Sequence, residues 1–211
     1  MRTRIFSLIF AILGLSLVSC IVSSAQVLPI LSGELHDRVY SANQKAGKFA
    51  REIVQIDETF SEGIISRKVE TLMRFVPAMG IYSGIRTVEA GRVGENERIF
   101  IEEGNVSYSR EDKGPWRIEE RIRRMECCGG LQPVSVCQHT VDIQKNLFET
   151  VCISKKDDKL TFQEVRVWIG PEGIPTVQER VEGTLSPRAE TFRSTSRYEY
   201  RPSLRIDAPS N

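Results

Sequence analysis

The chain has 211 residues, of which 40% are hydrophobic, so it is long enough for one domain with a substantial core. Its 29 basic and 28 acidic side chains almost cancel and are interspersed along the chain. This balance gives no support to a nucleic-acid partner, and we predict none.

The N-terminus has the pattern of an export signal. Two arginines precede an apolar run, Ile5–Val18, which is too short for a comfortable membrane span. Two processing sites compete. Residues 17–20 resemble a bacterial lipobox, which would make Cys20 a lipidated N-terminus attached to a membrane. Residues 23–25 resemble an ordinary cleavage site, and an uncleaved anchor is a third alternative.

All three alternatives place the protein outside the cytoplasm, in the periplasm, in the cell envelope or among secreted proteins. We predict a signal peptide at residues 1–25, or a lipoprotein signal at 1–19, followed by a single extracytoplasmic β-rich domain at 26–211. The cysteines after position 20 are even in number, as expected of a disulfide-bonded exported chain. They are Cys127, Cys128, Cys137 and Cys152.

Strand-like runs dominate the domain. Ser41–Ala50 is ambiguous between a helical turn and the approach to a first strand. Ile64–Phe75 alternates with the period of a half-buried strand, and turn signals then recur at short intervals, as in a meander. The clearest hairpin joins Leu160–Ile169 to Ile174–Val181 through Gly170–Gly173, whose proline and glycines suit a tight turn.

One segment, Trp116–Met125, has the apolar spacing of a helix, and Pro115 precedes it. We therefore predict an α+β, mostly β fold. Its core is a long curved antiparallel sheet, a half-barrel, with one or two helices against the concave face. A large antiparallel sheet tends to curl or close, and either outcome leaves a cavity suited to an apolar ligand.

Two registers are open for the hairpin that follows Cys137. A turn centred between Gln144 and Lys145 would place Cys137 opposite Cys152, within bridging reach. A turn at Lys145-Asn146 would shift the register by one residue on each side. We predict a structural disulfide among the four cysteines and leave its connectivity open.

No residue set supplies a nucleophile, a base and an orienting group together, so we predict no enzymatic activity and no catalytic residues. His36 and His139 are the only histidines, and neither accompanies a nucleophile motif. The adjacent cysteines are poorly spaced for zinc, and no Cys-x-x-Cys redox motif occurs. We therefore predict no metal and no cofactor.

Two late segments carry a resemblance to a known family. Val167–Pro175 runs from a tryptophan-bearing strand through a turn to an Ile-Pro pair, and Thr191–Pro209 ends a tyrosine-rich strand with Ile206 and a proline. With the export signal and the meander, this resembles the bacterial LolA/LppX-type lipoprotein-carrier superfamily, mainly over residues 147–209. The resemblance implies a curved sheet that holds acyl chains without chemistry. The amphipathic N-terminal helix of such carriers has only a poor counterpart here.

We therefore expect a non-enzymatic extracytoplasmic carrier or binder of an apolar ligand, namely a lipid or a lipoprotein acyl chain, held in the cavity of the curved sheet. The alternative is an extracytoplasmic structural or protein-interaction module with a fully packed core and no ligand. The apolar side chains predicted to line the cavity come from three strand-like runs: Ile65, Val69, Met73, Phe75, Phe162 and Trp168.

Overall fold

A computed structural model describes residues 27–119, 135–156 and 159–209. These residues form one helix and twelve strands, all in one open antiparallel sheet. The predicted α+β, mostly β class is therefore confirmed. The predicted export signal with Cys20 lies outside the described residues, as do Cys127 and Cys128. In the ranges that the structure describes, no helix is both long and apolar enough to cross a membrane.

The chain enters through a short strand and the helix. Strand β1 is Val27–Pro29, and helix α1 is Ser32–Ala46. Glu34 in the first turn and a lysine in the last turn complement the helix dipole, and Arg38 donates to Glu34 over 2.6 Å, one turn apart. The helix ends at Gly47, whose amide bonds the Asn43 carbonyl over 2.9 Å.

The strands form two arms of antiparallel neighbours. The first arm contains β2 (Arg51–Ser61), β3 (Ile64–Val76), β4 (Gly80–Glu89), β5 (Arg92–Ile101), β6 (Val106–Glu111) and β7 (Arg117–Glu119). The second arm contains β8 (Ser135–Asp142), β9 (Leu147–Lys156), β10 (Lys159–Ile169), β11 (Pro175–Leu185) and β12 (Arg188–Tyr200). The sheet order is β1-β8-β9-β10-β11-β12-β2-β3-β4-β5-β6-β7, so the arms meet where β12 pairs with β2.

The predicted strands are largely confirmed, whereas the start of the predicted helix is wrong. Ile64–Phe75 lies in β3, and the hairpin with the Gly170–Gly173 turn is formed by β10 and β11. Residues 117–119, at the start of the segment predicted as a helix, instead form β7, where Ile118 pairs with Tyr108. The remainder of that segment, 120–125, lies outside the described residues. In so short a segment, the spacing of apolar residues does not distinguish the period of a helix from that of a strand. Here the neighbouring strand β6 offers backbone partners, and the segment pairs with it.

The sheet has two faces, and register assigns each side chain to one of them, because partners on antiparallel strands point to the same side. We call the side that α1 covers the helix face, and the other the opposite face. Phe148, Val165 and Val167 of β9 and β10 lie on the helix face below α1. Their chain neighbours Glu164 and Arg166 lie on the opposite face.

The segment after β12 is anchored on the opposite face of the first arm. Ile206 is only 6% exposed and forms a buried cluster with Val76 and Ile99. Leu204 and Trp116 pack against this cluster. A segment that follows the last strand and lies outside the sheet therefore contributes a core residue.

Bulges interrupt the sheet at two positions that matter below. One lies in the β2–β3 pairing between Thr59 and Phe60, and the other in the β11–β12 pairing between Glu182 and Gly183. A Cβ on Gly183 would stand 2.0 Å from the Ala189 carbonyl oxygen and 2.8 Å from the Phe162 ring. Only glycine fits there, which is typical of a strand position where another group approaches the backbone closely.

Candidate functional site

A cleft of about 390 Å³ separates α1 from the helix face of β9 and β10. Its floor is apolar: Phe148 and Val167 are direct partners in the register and only 4% and 6% exposed, and Val165 lies two residues along β10, opposite Thr150. The opposite wall is formed by Leu35 and Val39 of α1, which are half-buried. The cleft thus has two apolar walls from two different elements.

The sequence of α1 explains why the cleft is there. Leu35, Val39, Ala42 and Ala46 recur at helical spacing and form the inner stripe of the helix. The two alanines are 5% and 4% exposed, whereas Leu35 and Val39 are only half-buried. Small side chains let the C-terminal half of the helix approach closely, while the larger ones hold the N-terminal half away. We infer that the gap widens toward the helix N-terminus.

Two polar contacts fix the C-terminal half of α1. The Lys45 ammonium donates to the backbone carbonyl of Glu172 in the β10–β11 turn. The Arg51 guanidinium donates to the Ala46 carbonyl over 2.9 Å, which satisfies one of the last carbonyls of the helix. Burial of Arg51 is the largest influence on its pKa and lowers it. These contacts hold the C-terminal half of α1, and just before the helix begins the Ile30 amide donates to the His139 carbonyl over 3.1 Å.

Neutral polar side chains form one rim of the cleft. Ser32, His36, Tyr40 and Asn43 follow one another along α1 beside the inner stripe and all line the cleft. The His36 and Tyr40 rings stack with centroids 5.5 Å apart. On the sheet side, Thr150 lines the cleft, and its hydroxyl lies 2.9 Å from His139 Nδ1. This rim offers hydroxyl, imidazole and amide groups to a ligand.

The disulfide lies on the same face of the sheet, further along β8 and β9. Cys137 and Cys152 are directly paired in the register and bonded, with sulfurs 2.06 Å apart. The register centred between Gln144 and Lys145 is confirmed, and the alternative turn at Lys145-Asn146 is wrong. Cross-strand bonding of this kind is compatible with an extracytoplasmic location, where thiols are not kept reduced.

A second cavity, of about 520 Å³, lies on the opposite face of the first arm. Its floor is Val54, Ile56 and Leu72, and beside them Gly84, which has no Cβ, leaves room for the Tyr82 side chain. Because this floor belongs to one sheet layer with no second apolar wall among the described residues, we regard the cleft below α1 as the better candidate site.

Charged pairs surround that second cavity and satisfy one another. Tyr82 lies over Gly84 and donates its hydroxyl to Glu97 over 2.8 Å, and Arg110 also donates to Glu97. Burial, followed by the hydrogen bond to Glu97, raises the pKa of Tyr82 to about 12. Arg110 holds the pKa of the Glu97 carboxyl below its usual value, although burial opposes this. The polar groups of Tyr82, Glu97 and Arg110 therefore already have partners within the protein.

The six residues predicted to line a cavity divide between the two faces. Register places Val69, Met73 and Phe75 together on the helix face, where the Phe75 ring lies 4.2 Å from the Arg51 guanidinium that bonds α1. Ile65, Phe162 and Trp168 fall on the opposite face. None of the six lines the cleft below α1. The structure brings the β3 trio together, and the role of all six in ligand contact stays a prediction.

The residues that form the cleft were not singled out from the sequence. Leu35 and Val39 belong to a helix whose inner stripe is half alanine, so the apolar signal is weak. Phe148, Val165 and Val167 alternate as strand residues do, and nothing in that alternation shows that a helix covers them. The spacing of Leu35, Val39 and the two alanines was the signal that could have found the helix.

Among residues 27–119, 135–156 and 159–209, no three histidine, cysteine or acidic side chains lie together in a way that could hold a metal ion. The geometry of the cleft suits binding of an apolar molecule with a polar end. The sequence matches no model of a known protein family and no curated protein.

Proposed function

We propose that the protein is a non-enzymatic extracytoplasmic carrier or binder of an apolar ligand, a lipid or an acyl chain. The observation that carries the proposal is the two-walled cleft between α1 and β9–β10. Its volume of about 390 Å³ lies within the range of small-molecule sites, which are mostly apolar with a few polar groups. Apolar floor, apolar helix stripe and polar rim follow that pattern.

Packing energetics support the same function. Protein interiors are filled almost as densely as organic crystals, and side chains that line a gap lose their dispersion contacts. Leu35 and Val39 stay half-buried above a floor that is itself almost fully buried. An acyl chain in the cleft would cover the part of Leu35, Val39 and Val165 that is still exposed, and it would add dispersion contacts to these half-buried side chains.

The finer features of the proposal come from the sequence. The export signal favours an extracytoplasmic location, in the periplasm, in the cell envelope or among secreted proteins, and the disulfide agrees with all of these. The resemblance to the LolA/LppX-type carriers favours an acyl chain as the ligand, including that of a lipoprotein. A long antiparallel sheet with a helix on one face is what that resemblance implies.

The test uses a monoacylglycerol whose acyl chain ends in pyrene, because pyrene fluorescence reports an apolar environment. The mature protein should bind this probe. V39W, which fills the cleft, should weaken binding at least tenfold, whereas S41W, on the exposed side of the same helix, should not. Both variants should keep the thermal unfolding midpoint of the wild type. Failure to bind the probe, or equal losses in the two variants, would favour the protein-interaction module.

A further inference from the structure

We infer that the cleft selects amphiphiles whose head group is uncharged and forms hydrogen bonds, such as monoacylglycerols, over those with a carboxylate or phosphate head. The inference rests on the proposed function and concerns the same cleft. It is carried by the distribution of charge around α1, which differs between the two flanks of the helix.

The flank that borders the cleft carries no acidic side chain, no lysine and no arginine. It consists of Ser32, His36, Tyr40 and Asn43, which lie three or four residues apart. The Tyr40 hydroxyl accepts a hydrogen bond from Gln44 over 2.8 Å, so its proton stays available to a ligand.

The other flank of the same helix carries the charges. Glu34 and Arg38 form an ion pair one turn apart at 2.6 Å, and Lys45 is bound to the Glu172 carbonyl. Asp37, whose carboxylate lies 3.6 Å from the His36 ring, is 85% exposed on the outer surface. The cations of α1 are therefore held by partners away from the cleft.

The sheet side offers no free cation either. Of the described residues that line the cleft, none is aspartate, glutamate, lysine or arginine. The nearest basic residue by register is Arg180, opposite Val165 on β11, and its guanidinium donates to Glu182 over 2.5 Å. An anionic head group would lose water here without gaining an ion pair, which is unfavourable.

The N-terminus of α1 does not reverse this preference. Helix N-termini favour anions, and Leu31 at the N-cap has no side-chain cap bond. Glu34 in the first turn already supplies the negative charge that this end of the helix favours, and its ion pair with Arg38 lies on the flank away from the cleft. A glycerol or amide head can instead exchange hydrogen bonds with the neutral rim at little electrostatic cost.

The experiment compares 1-monolauroylglycerol, laurate and dodecylamine by isothermal titration calorimetry against the wild-type protein. These ligands share the same chain length and differ in the head group. We expect the monoacylglycerol to bind about tenfold more tightly than laurate, since one or two net hydrogen bonds correspond to about that ratio. Laurate binding as tightly as the monoacylglycerol would overturn the inference.

A charge-insertion variant makes the test independent of the absolute affinities. N43R places a guanidinium on the neutral rim and should reverse the preference toward laurate, whereas the matched S41R on the outer surface should not. If V39W abolishes binding of all three ligands but N43R leaves their ranking unchanged, head-group selection fails while the proposed function stands. If no ligand binds the wild type, both fail.

Discussion

Replacing Ile206 by alanine should destabilise the whole domain, although the residue lies close to the end of the described chain. Ile206 is 6% exposed and packs with Val76 and Ile99, which are 7% and 8% exposed. The substitution removes three carbon atoms at about 0.8 kcal/mol each. The transfer loss is about 2.4 kcal/mol, and the remaining cavity raises the expected cost to about 3–4 kcal/mol.

Urea unfolding followed by tryptophan fluorescence and by circular dichroism measures this cost, because Trp116 packs against the same cluster. The matched control is I64A, since Ile64 is 72% exposed and should change the free energy of unfolding by less than about 0.5 kcal/mol. A result for I206A that is equally small would show that the segment after β12 is not part of the core, and would refute the reasoning.

Two further predictions concern single positions. G183A should lower the midpoint of urea unfolding severely, because the new Cβ would stand 2.0 Å from the Ala189 carbonyl oxygen. The control is G94A, since a Cβ at Gly94 would have no neighbour within 4 Å. Equal losses in the two variants would contradict the close approach at Gly183. The raised pKa of Tyr82 means that folding favours its protonated form, so this contribution to stability is present below pH 10 and is lost as pH rises toward 12. E97Q should lower that pKa in a spectrophotometric phenolate titration, and an unchanged curve would contradict the role of the hydrogen bond.

Local patterns predicted the strands well and reduced the register of one hairpin to two alternatives, of which the structure shows one. The run that follows Cys137 and the run that ends near Ser154 are separated by a short turn, so few registers are possible. Hairpin pairing depends on nearby residues and on turn length, and both can be read from the chain. The disulfide therefore followed from the choice between two turns.

Helix α1 was the weakest part of the prediction, because its stability depends on contacts that are distant in the chain and not on nearby residues. Its stability comes from packing Ala42 and Ala46 against the sheet and from contacts such as Lys45 to the Glu172 carbonyl, more than a hundred residues away in the chain. Helical stability in proteins comes mostly from such tertiary packing. The sequence of α1 alone shows only a mixed polar segment.

The residues that line a cavity could not be predicted, because a bulge reverses the face of the sheet toward which the side chains beyond it point. Ile65, Val69 and Met73 share one face if β3 is regular, as their spacing suggests. The bulge in the β2–β3 pairing places Ile65 opposite Phe60, on the other face. A bulge adds one residue to one strand and inverts the alternation beyond it, and no hydrophobic pattern in this run marks the position.

The central position of the β12–β2 pair bears on how the chain folds. Each arm is a succession of hairpins between consecutive strands, which require only short loop closures. Joining the arms requires residues 192–200 to find residues 51–59, and chains dominated by such distant contacts fold slowly. Until that encounter the inner edges of both arms are unpaired and can pair wrongly with another chain. The pairing in the middle of the finished sheet therefore closes the longest loop of any strand pair among the described residues, and its two edges are open to wrong pairing until it forms.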